Sequence, residues 1–210
     1  CDTPLNYAIR SGHLKILRLL LDSGAEFEYD EHQTKIRYPL HLAAEIGDVK
    51  AVQILLGYGA GINKLCMKEA PLHLAARNGH VKTVLLLLNS GAEVDRRNEH
   101  GTTPLHYAVT DPGVEWAPPS LDKLKVVQLL LDYGAEININ TLCGGTTALL
   151  MAIEFNNGEH AEDVVELLLN RGADANQPDM DGVAPLEDTC YPQSKEVLLL
   201  LLSYGTKIPA

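Results

Sequence analysis

The sequence predicts an all-α solenoid, with about six helix-turn-helix units stacked side by side and joined by β-hairpin-like loops. Three observations predict it. A start of the form Thr-Pro-Leu-His recurs with its second position at residues 4, 39, 71, 104, 148 and 185, in steps of 35, 32, 33, 44 and 37. Each start is followed by a stop: Gly24-Ala25, Gly59-Ala60, Gly91-Ala92, Gly134-Ala135, Gly172-Ala173 and Gly205-Thr206. Between start and stop, apolar residues recur at helical spacing in runs too short to bury their own faces, so each unit must stack on another.

The clearest copy is Ala70 to Val94, APLHLAARNGHVKTVLLLLNSGAEV. Pro71 suits the first helical position, where its missing N–H costs nothing. Leu72, Ala75 and Ala76 give the first helix one small-residue face, and Gly79 ends it. Val81, Val84, Leu85, Leu87 and Leu88 carry the second helix, and Gly91 stands where a left-handed cap is expected. A two-helix unit near 33 residues with this start and stop resembles the ankyrin repeat. The resemblance covers essentially the whole chain. It divides the sequence into repeats at about 1–36, 37–68, 69–101, 102–145, 146–182 and 183–210, forming a single domain.

In the first repeat Thr3 can cap the first helix, and Asn6 stands where the family has His. The link from Glu28 to Arg37 is polar and lacks Gly before the next start, which predicts an irregular hairpin. In the second repeat Tyr38 replaces Thr, so a side-chain cap is lost or weakened. Its hairpin, Lys64 to Glu69, is unusually apolar for an exposed turn. The fourth repeat carries roughly eleven extra residues beyond the usual period. They form an insert at 110–120 that holds three prolines and the only tryptophan, Trp116. Prolines stiffen a loop. Trp116 either displays a contact element or folds back over apolar surface.

The fifth repeat has Ala148 for Pro and Leu150 for His, and its second helix opens on acidic residues that suit the helix dipole. The sixth diverges most. Pro192 is expected to end its first helix early, and Leu198 to Leu202 reads as a helix covered on both sides. The cover would be a further repeat or domain, or residues 207–210 folded back. The opening at Cys1-Asp2-Thr3, without an initiator Met, reads as a piece of a longer protein, with other domains of the parent chain as partners.

The chain holds 17 basic and 28 acidic residues, net −11. Residues 101–210 hold 5 basic and 16 acidic residues, so all of the net charge lies there. Nucleic acid is disfavoured, because phosphate binding needs a basic face. A basic partner is favoured, unless the charge serves only solubility. Four cysteines lie far apart without a CxxC, which favours an intracellular, reducing setting, cytoplasmic or nuclear. No apolar run reaches the roughly 18 residues of a membrane span.

No catalytic, cofactor or metal site is read from the sequence. His41, His73 and His106 occupy the start motif, where the resemblance implies hydrogen bonds that join adjacent repeats. There is no HExxH, and the remaining histidines are scattered along the solenoid. Cys143-Gly-Gly-Thr-Thr147 lacks the spacing and lysine of a phosphate loop. Asn63, Asn138 and Asn176 each lie four residues after a stop glycine. They resemble hairpin asparagines that ankyrin repeats offer to asparaginyl hydroxylases. The alternative is that Asn suits the turn by bonding its own backbone.

The resemblance also implies a concave face lined by first helices and hairpins. The candidate partner-binding residues mapped to it are Arg37, Glu45, Ile46, Met67, Glu69, Arg77, Asn78, His100, Asp111 and Phe155, with Trp116 as a second anchor. Ile46, Met67, Phe155 and Met180 are large and apolar where packing does not demand it. Arg37 and Arg77 beside Ile46 and Met67 match the composition of interface hot spots. The expected function is a protein–protein interaction module, without enzymatic activity, that binds a protein or peptide along the groove. The alternatives are a regulatory or substrate-targeting segment of a larger multidomain enzyme, and a structural spacer.

Overall fold

The computed structural model describes residues 3–28, 37–110, 122–155, 161–188 and 195–206. These residues form twelve helices: α1 (Pro4–Arg10), α2 (Leu14–Asp22), α3 (Pro39–Ile46), α4 (Val49–Gly57), α5 (Pro71–Arg77), α6 (Val81–Asn89), α7 (Pro104–Val109), α8 (Asp122–Asp132), α9 (Ala148–Phe155), α10 (Ala161–Asn170), α11 (Pro185–Asp188) and α12 (Lys195–Ser203). The odd helices pack on one another in chain order, and so do the even helices, giving two layers that run the length of the stack. The core lies between them. Leu5, Leu40, Leu72, Leu105 and Leu149 enter it from the odd layer, and Leu17, Leu55, Leu87, Leu130 and Leu168 from the even layer. Ala43, Ala44, Ala75 and Ala76 are fully buried. Their small side chains let first helices of successive repeats approach closely.

Proline opens α1, α3, α5 and α7, as its locked φ favours. Thr3 caps α1, accepting from the Asn6 amide at 3.2 Å. Tyr38 offers no cap to α3. It is buried instead, edge-on to His41 at 5.4 Å, with the Lys64 ammonium 5.9 Å from its ring centre.

The start-motif histidines join the repeats. The Ala70 amide donates to His73 Nδ1 at 3.1 Å and the Thr103 amide to His106 Nδ1 at 3.2 Å. A nitrogen that accepts carries no proton, so Nε2 is the protonated one. It donates to Thr102 O at 3.0 Å from His73 and to Ile139 O at 3.0 Å from His106. His41 Nε2 reaches Lys64 O at 2.9 Å in the same way. Asn6 makes the equivalent bond with its amide, to Arg37 O at 2.8 Å. Leu150, which has no donor, is packed into the core.

A second polar ladder runs along the far ends of the even helices. At four of the six stops the residue before the glycine donates to the last helical residue of the repeat before it. Tyr58 donates to Asp22, Tyr133 to Asn89 at 2.6 Å, Arg171 to Asp132 at 2.8 Å, and Tyr204 to Asn170. Gly57 has no side chain to accept, so the ladder is interrupted between the second and third repeats.

The hairpins are tight turns, and no extended strand is present among the described residues. One antiparallel bridge, Cys66 with Glu69, closes the turn ahead of α5. The later turns close through Asn98 N to Thr102 O, Thr141 N to Thr146 O, and Asp179 N to Val183 O. Neighbouring turns also bond each other, Leu142 N to His100 O at 2.8 Å and Met180 N to Gly144 O at 2.9 Å. Gly101 sits at φ +72, and a Cβ there would lie 2.7 Å from Leu142 N. Only glycine satisfies both demands.

In α12, Leu199 and Leu202 are 55% and 40% exposed, and residues 207–210, one of the two covers expected for this helix, lie outside the described residues. The fold of residues 29–36, Pro192 and the 110–120 insert beyond Thr110 lies outside the described residues.

Candidate functional site

On the odd-helix face, the arm entering each first helix runs beside that helix's last turn, so residues eight apart meet. In the second repeat Arg37 pairs with Glu45, and in the third Glu69 pairs with Arg77 at 2.8 Å, with the charges in reverse order. The four side chains are 14–28% exposed. Burial works against the Arg37 charge, but Glu45, and then Glu69 of the next repeat, hold it above its ordinary range. The four groups therefore form one electrostatic cluster across two repeats.

Tyr107 of the fourth repeat extends the cluster. Its ring lies 5.6 Å from the Arg77 guanidinium and meets His73 edge-on at 5.1 Å. The Asn98 amide donates to its hydroxyl at 3.3 Å. Burial, reinforced by the Glu69 charge, pushes the phenol up to about 12.

Arg37 and Arg77 are thus each ion-paired to a carboxylate of their own repeat, a contact that residue type and position alone did not reveal. The apolar candidates are available: Ile46 at the end of α3 is 41% exposed, and Met67 at a turn tip is 49% exposed. Met67 and Lys68 both have positive φ, +52° and +75°. Lys68 occupies the position that Gly101, Gly145 and Gly182 fill in later turns, with φ of 72, 64 and 83. A left-handed backbone costs an ordinary residue about 1–2 kcal/mol. The second turn therefore carries strain that the others avoid, and it presents Met67 and a Lys68–Glu99 ion pair of 3.0 Å to solvent.

The remaining candidates divide. Asn78 is committed to the stack, donating from Nδ2 to Glu45 O at 3.0 Å, beside His80 Nε2 on the same oxygen at 2.8 Å. His100 is exposed, with Nδ1 3.6 Å from the Cys143 thiol. Asp111, Trp116 and the Phe155 side chain lie outside the described residues. Two of the hairpin asparagines, Asn63 and Asn138, bond the next repeat. Asn63 accepts from Glu93 N at 2.9 Å and reaches Gly91 O at 3.4 Å. Asn138 accepts from Asp174 N at 2.9 Å and reaches Gly172 O at 3.3 Å. The Asn176 amide donates to Asp174 at 2.8 Å.

Tyr107 and Leu142 escaped the sequence reading. The signal for Tyr107 was available. It replaces the leucines at 42 and 74, which are buried, with a side chain that has a polar tip. Leu142, 61% exposed, hides in a turn with one residue more than the turn of Asn98. Among the described residues no group of three or more His, Cys, Asp or Glu is placed to hold a metal ion. Among the same residues no helix is long and apolar enough to cross a membrane.

Family models of ankyrin repeats match this chain over residues 5–56, 40–141 and 116–210, and neither model describes an enzyme. Among similar proteins, the fowlpox virus ankyrin repeat protein FPV232 is 37% identical over 173 residues, 82% of this chain and 33% of its own length. The human ankyrin repeat and SOCS box protein 6 is 31% identical over 186 residues, 86% of this chain and 41% of its own. The chicken nuclear factor NF-kappa-B p105 subunit is 30% identical over 186 residues, 88% of this chain and 14% of its own. The chain thus spans less than half the length of each.

Proposed function

The chain belongs to the ankyrin repeat family, and from that premise we propose that it binds a protein or peptide segment on the odd-helix face of its second and third repeats. The repeats of this family are, in general, protein-interaction modules, and no reaction is assigned to this segment. One observation carries the choice of surface. Ile46 and Met67 are exposed apolar side chains at the ends of a rigid, ion-paired cluster made by Arg37, Glu45, Glu69 and Arg77. Such a surface is already ordered, so little side-chain entropy is lost on binding. Its charges are balanced, so it would select a partner by pattern rather than by net charge. The acidic second half favours a basic partner segment on approach. Cysteine usage favours a reducing, intracellular setting.

The test is capture from cell lysate by the chain and by an Ile46→Ser/Met67→Asn/Lys68→Gly variant. Asn-Gly is the preferred occupant of a two-residue turn with positive φ, so this variant keeps its fold. Loss of a captured protein from an equally stable variant supports the reading. Capture of the same proteins by both refutes it.

A second reading is favoured by the length of the relatives, each more than twice the matched segment. In it the repeats are a regulatory or targeting segment of a larger chain, and the same face docks another domain of that chain. For Asn63, Asn138 and Asn176, hydroxylation remains a proposal. Incubation with an asparaginyl hydroxylase should add the mass of one oxygen per site, and an unchanged intact mass would overturn it.

A further inference from the structure

The even-helix layer carries a row of lysines in a chain whose net charge is −11. Nine residues before the stop glycine stand Lys15, Lys50, Lys82 and Lys125 in the first four repeats, then Asp163 and Glu196 in the last two. All six are exposed. The position faces solvent in every repeat, so its exposure does not depend on place in the stack. On α2, α4 and α6 the only carboxylate is Asp22, at the far end of α2, where it accepts from the Tyr58 hydroxyl. Asp48, just ahead of α4, is committed to capping it, accepting from the Lys50 and Ala51 amides at 3.0 Å. Lys15, Lys50 and Lys82 are in no ion pair among the described residues.

Helix stability does not account for the row. A helix dipole favours acidic residues in the first turn and disfavours lysine there. The first turns of α10 and α12 follow that preference with Glu162, Asp163 and Glu196. Those of α2, α4 and α6 hold no acidic residue. The lysines thus oppose the local preference on successive packed helices, and the pattern reverses sign at the fifth repeat.

We propose that the even-helix layer of the first four repeats is a peripheral docking surface for an anionic lipid bilayer. Packed helices lie roughly 8–10 Å apart, so the row spreads single charges along the outer surface of the stack. A bilayer offers a continuous sheet of negative charge and meets such an array without matching a register. Four or more Lys and Arg gathered on one face are enough to hold anionic headgroups. Arg18, one helical turn from Lys15, adds a fifth charge. In that second row Leu85 is 38% exposed beside Arg18, Gln53 and Gln128, and it would rest at the headgroup boundary with the lysine stems. The acidic repeats lie beyond the row. At physiological salt, charges more than about 8 Å from the lipid are largely screened, so the basic end lies against the membrane and the acidic end away from it. The odd-helix face proposed above is on the other layer, and the two surfaces do not compete.

The experiment is cosedimentation of the whole chain with vesicles of phosphatidylcholine alone and with about one-third phosphatidylserine. Thermal melting of every variant is the folding control. The chain should pellet only with the anionic vesicles and be released by about 0.5 M salt. Lys50→Gln/Lys82→Gln should weaken partitioning about 25-fold, at about five-fold per lysine. Asp163→Lys/Glu196→Lys, which lengthens the row, should strengthen it by about five-fold or more. Glu136→Lys/Asp181→Lys makes the same change of charge on the turn edge and should shift it by less than about two-fold. Three results would overturn the proposal. One is no binding to anionic vesicles. Another is an equal gain from both lysine pairs, which assigns binding to net charge. The third is row-dependent binding of soluble polyglutamate without vesicle binding, which assigns the row to an acidic protein segment.

Discussion

Lowering the pH should unfold this solenoid through three imidazoles before its carboxylates are protonated. Burial drives His41, His73 and His106 from an ordinary value of 6.5 down to about 4. The folded state holds them neutral, while the unfolded chain takes up a proton below 6.5. Between pH 6.5 and 4 the unfolded state binds more protons, so stability falls as pH falls through that window and is fully present above it. Each unit of difference is worth about 1.36 kcal/mol. Moving from pH 7.5 to 5.0 therefore costs about 2 kcal/mol per histidine, and about 6 kcal/mol for three that act independently. That is comparable to the whole stability of many domains.

The perturbation that isolates the effect is His73→Asn. Asn6 shows that a carboxamide can make the inter-repeat bond, donating to Arg37 O at 2.8 Å. The variant should lose about 1–3 kcal/mol at pH 7.5, because the buried Ala70 amide loses its acceptor. The gap to wild type should then narrow by about 2 kcal/mol at pH 5.0, because one titrating group is gone. Urea unfolding at pH 5.0, 6.0 and 7.5 measures both quantities, and NMR titration of the His73 ring reads its ionisation directly. The reasoning is refuted if the gap is the same at all three pH values, or if the ring titrates near its ordinary value.

Other outcomes follow from single contacts. Gly101→Ala should cost about 2 kcal/mol or more in urea unfolding, since both φ +72 and the nearby Leu142 backbone forbid a side chain. Gly24→Ala should cost about 1–2 kcal/mol, from its left-handed backbone at φ +80 alone, because nothing lies within 4 Å of the added Cβ. Met67→Asn/Lys68→Gly should raise stability by about 1 kcal/mol by relieving the left-handed turn, read as a higher urea midpoint. Tyr133→Phe should lose about 0.5–1.5 kcal/mol from the hydrogen bond to Asn89, again by urea unfolding.

The fold was legible because its signals are local and repeated. Pro71 at a first helical position, the Ala75-Ala76 face and the Gly91 stop each follow from the chemistry of a few neighbouring residues, and the copies set the phase. The pairing of the candidate face was not legible. Arg37 with Glu45 and Glu69 with Arg77 are eight apart, a spacing that brings residues together only when a turn arm folds back along a short helix. Tyr107 reaches this cluster across a repeat boundary, and period alone does not say which side chains cross it. The strain at Lys68 escaped the sequence reading, which marked that hairpin only as unusually apolar; it is seen in the backbone angle, at a position where later turns have glycine. For the asparagines at 63 and 138 the sequence offers a modification site or a local turn former; their side chains bond the next repeat, and that contact exists only once the stack has formed.

The central claim is that a protein partner meets the odd-helix face of the second and third repeats. Its most direct test is a photocrosslinking residue at position 46, compared with one at position 53, which is exposed on the even-helix layer. Exposed to lysate and light, the first should form a discrete crosslinked species that Met67→Asn/Lys68→Gly diminishes, and the second should not. Crosslinking from position 53 alone, or equally from both, would contradict the account and move the site to the other layer.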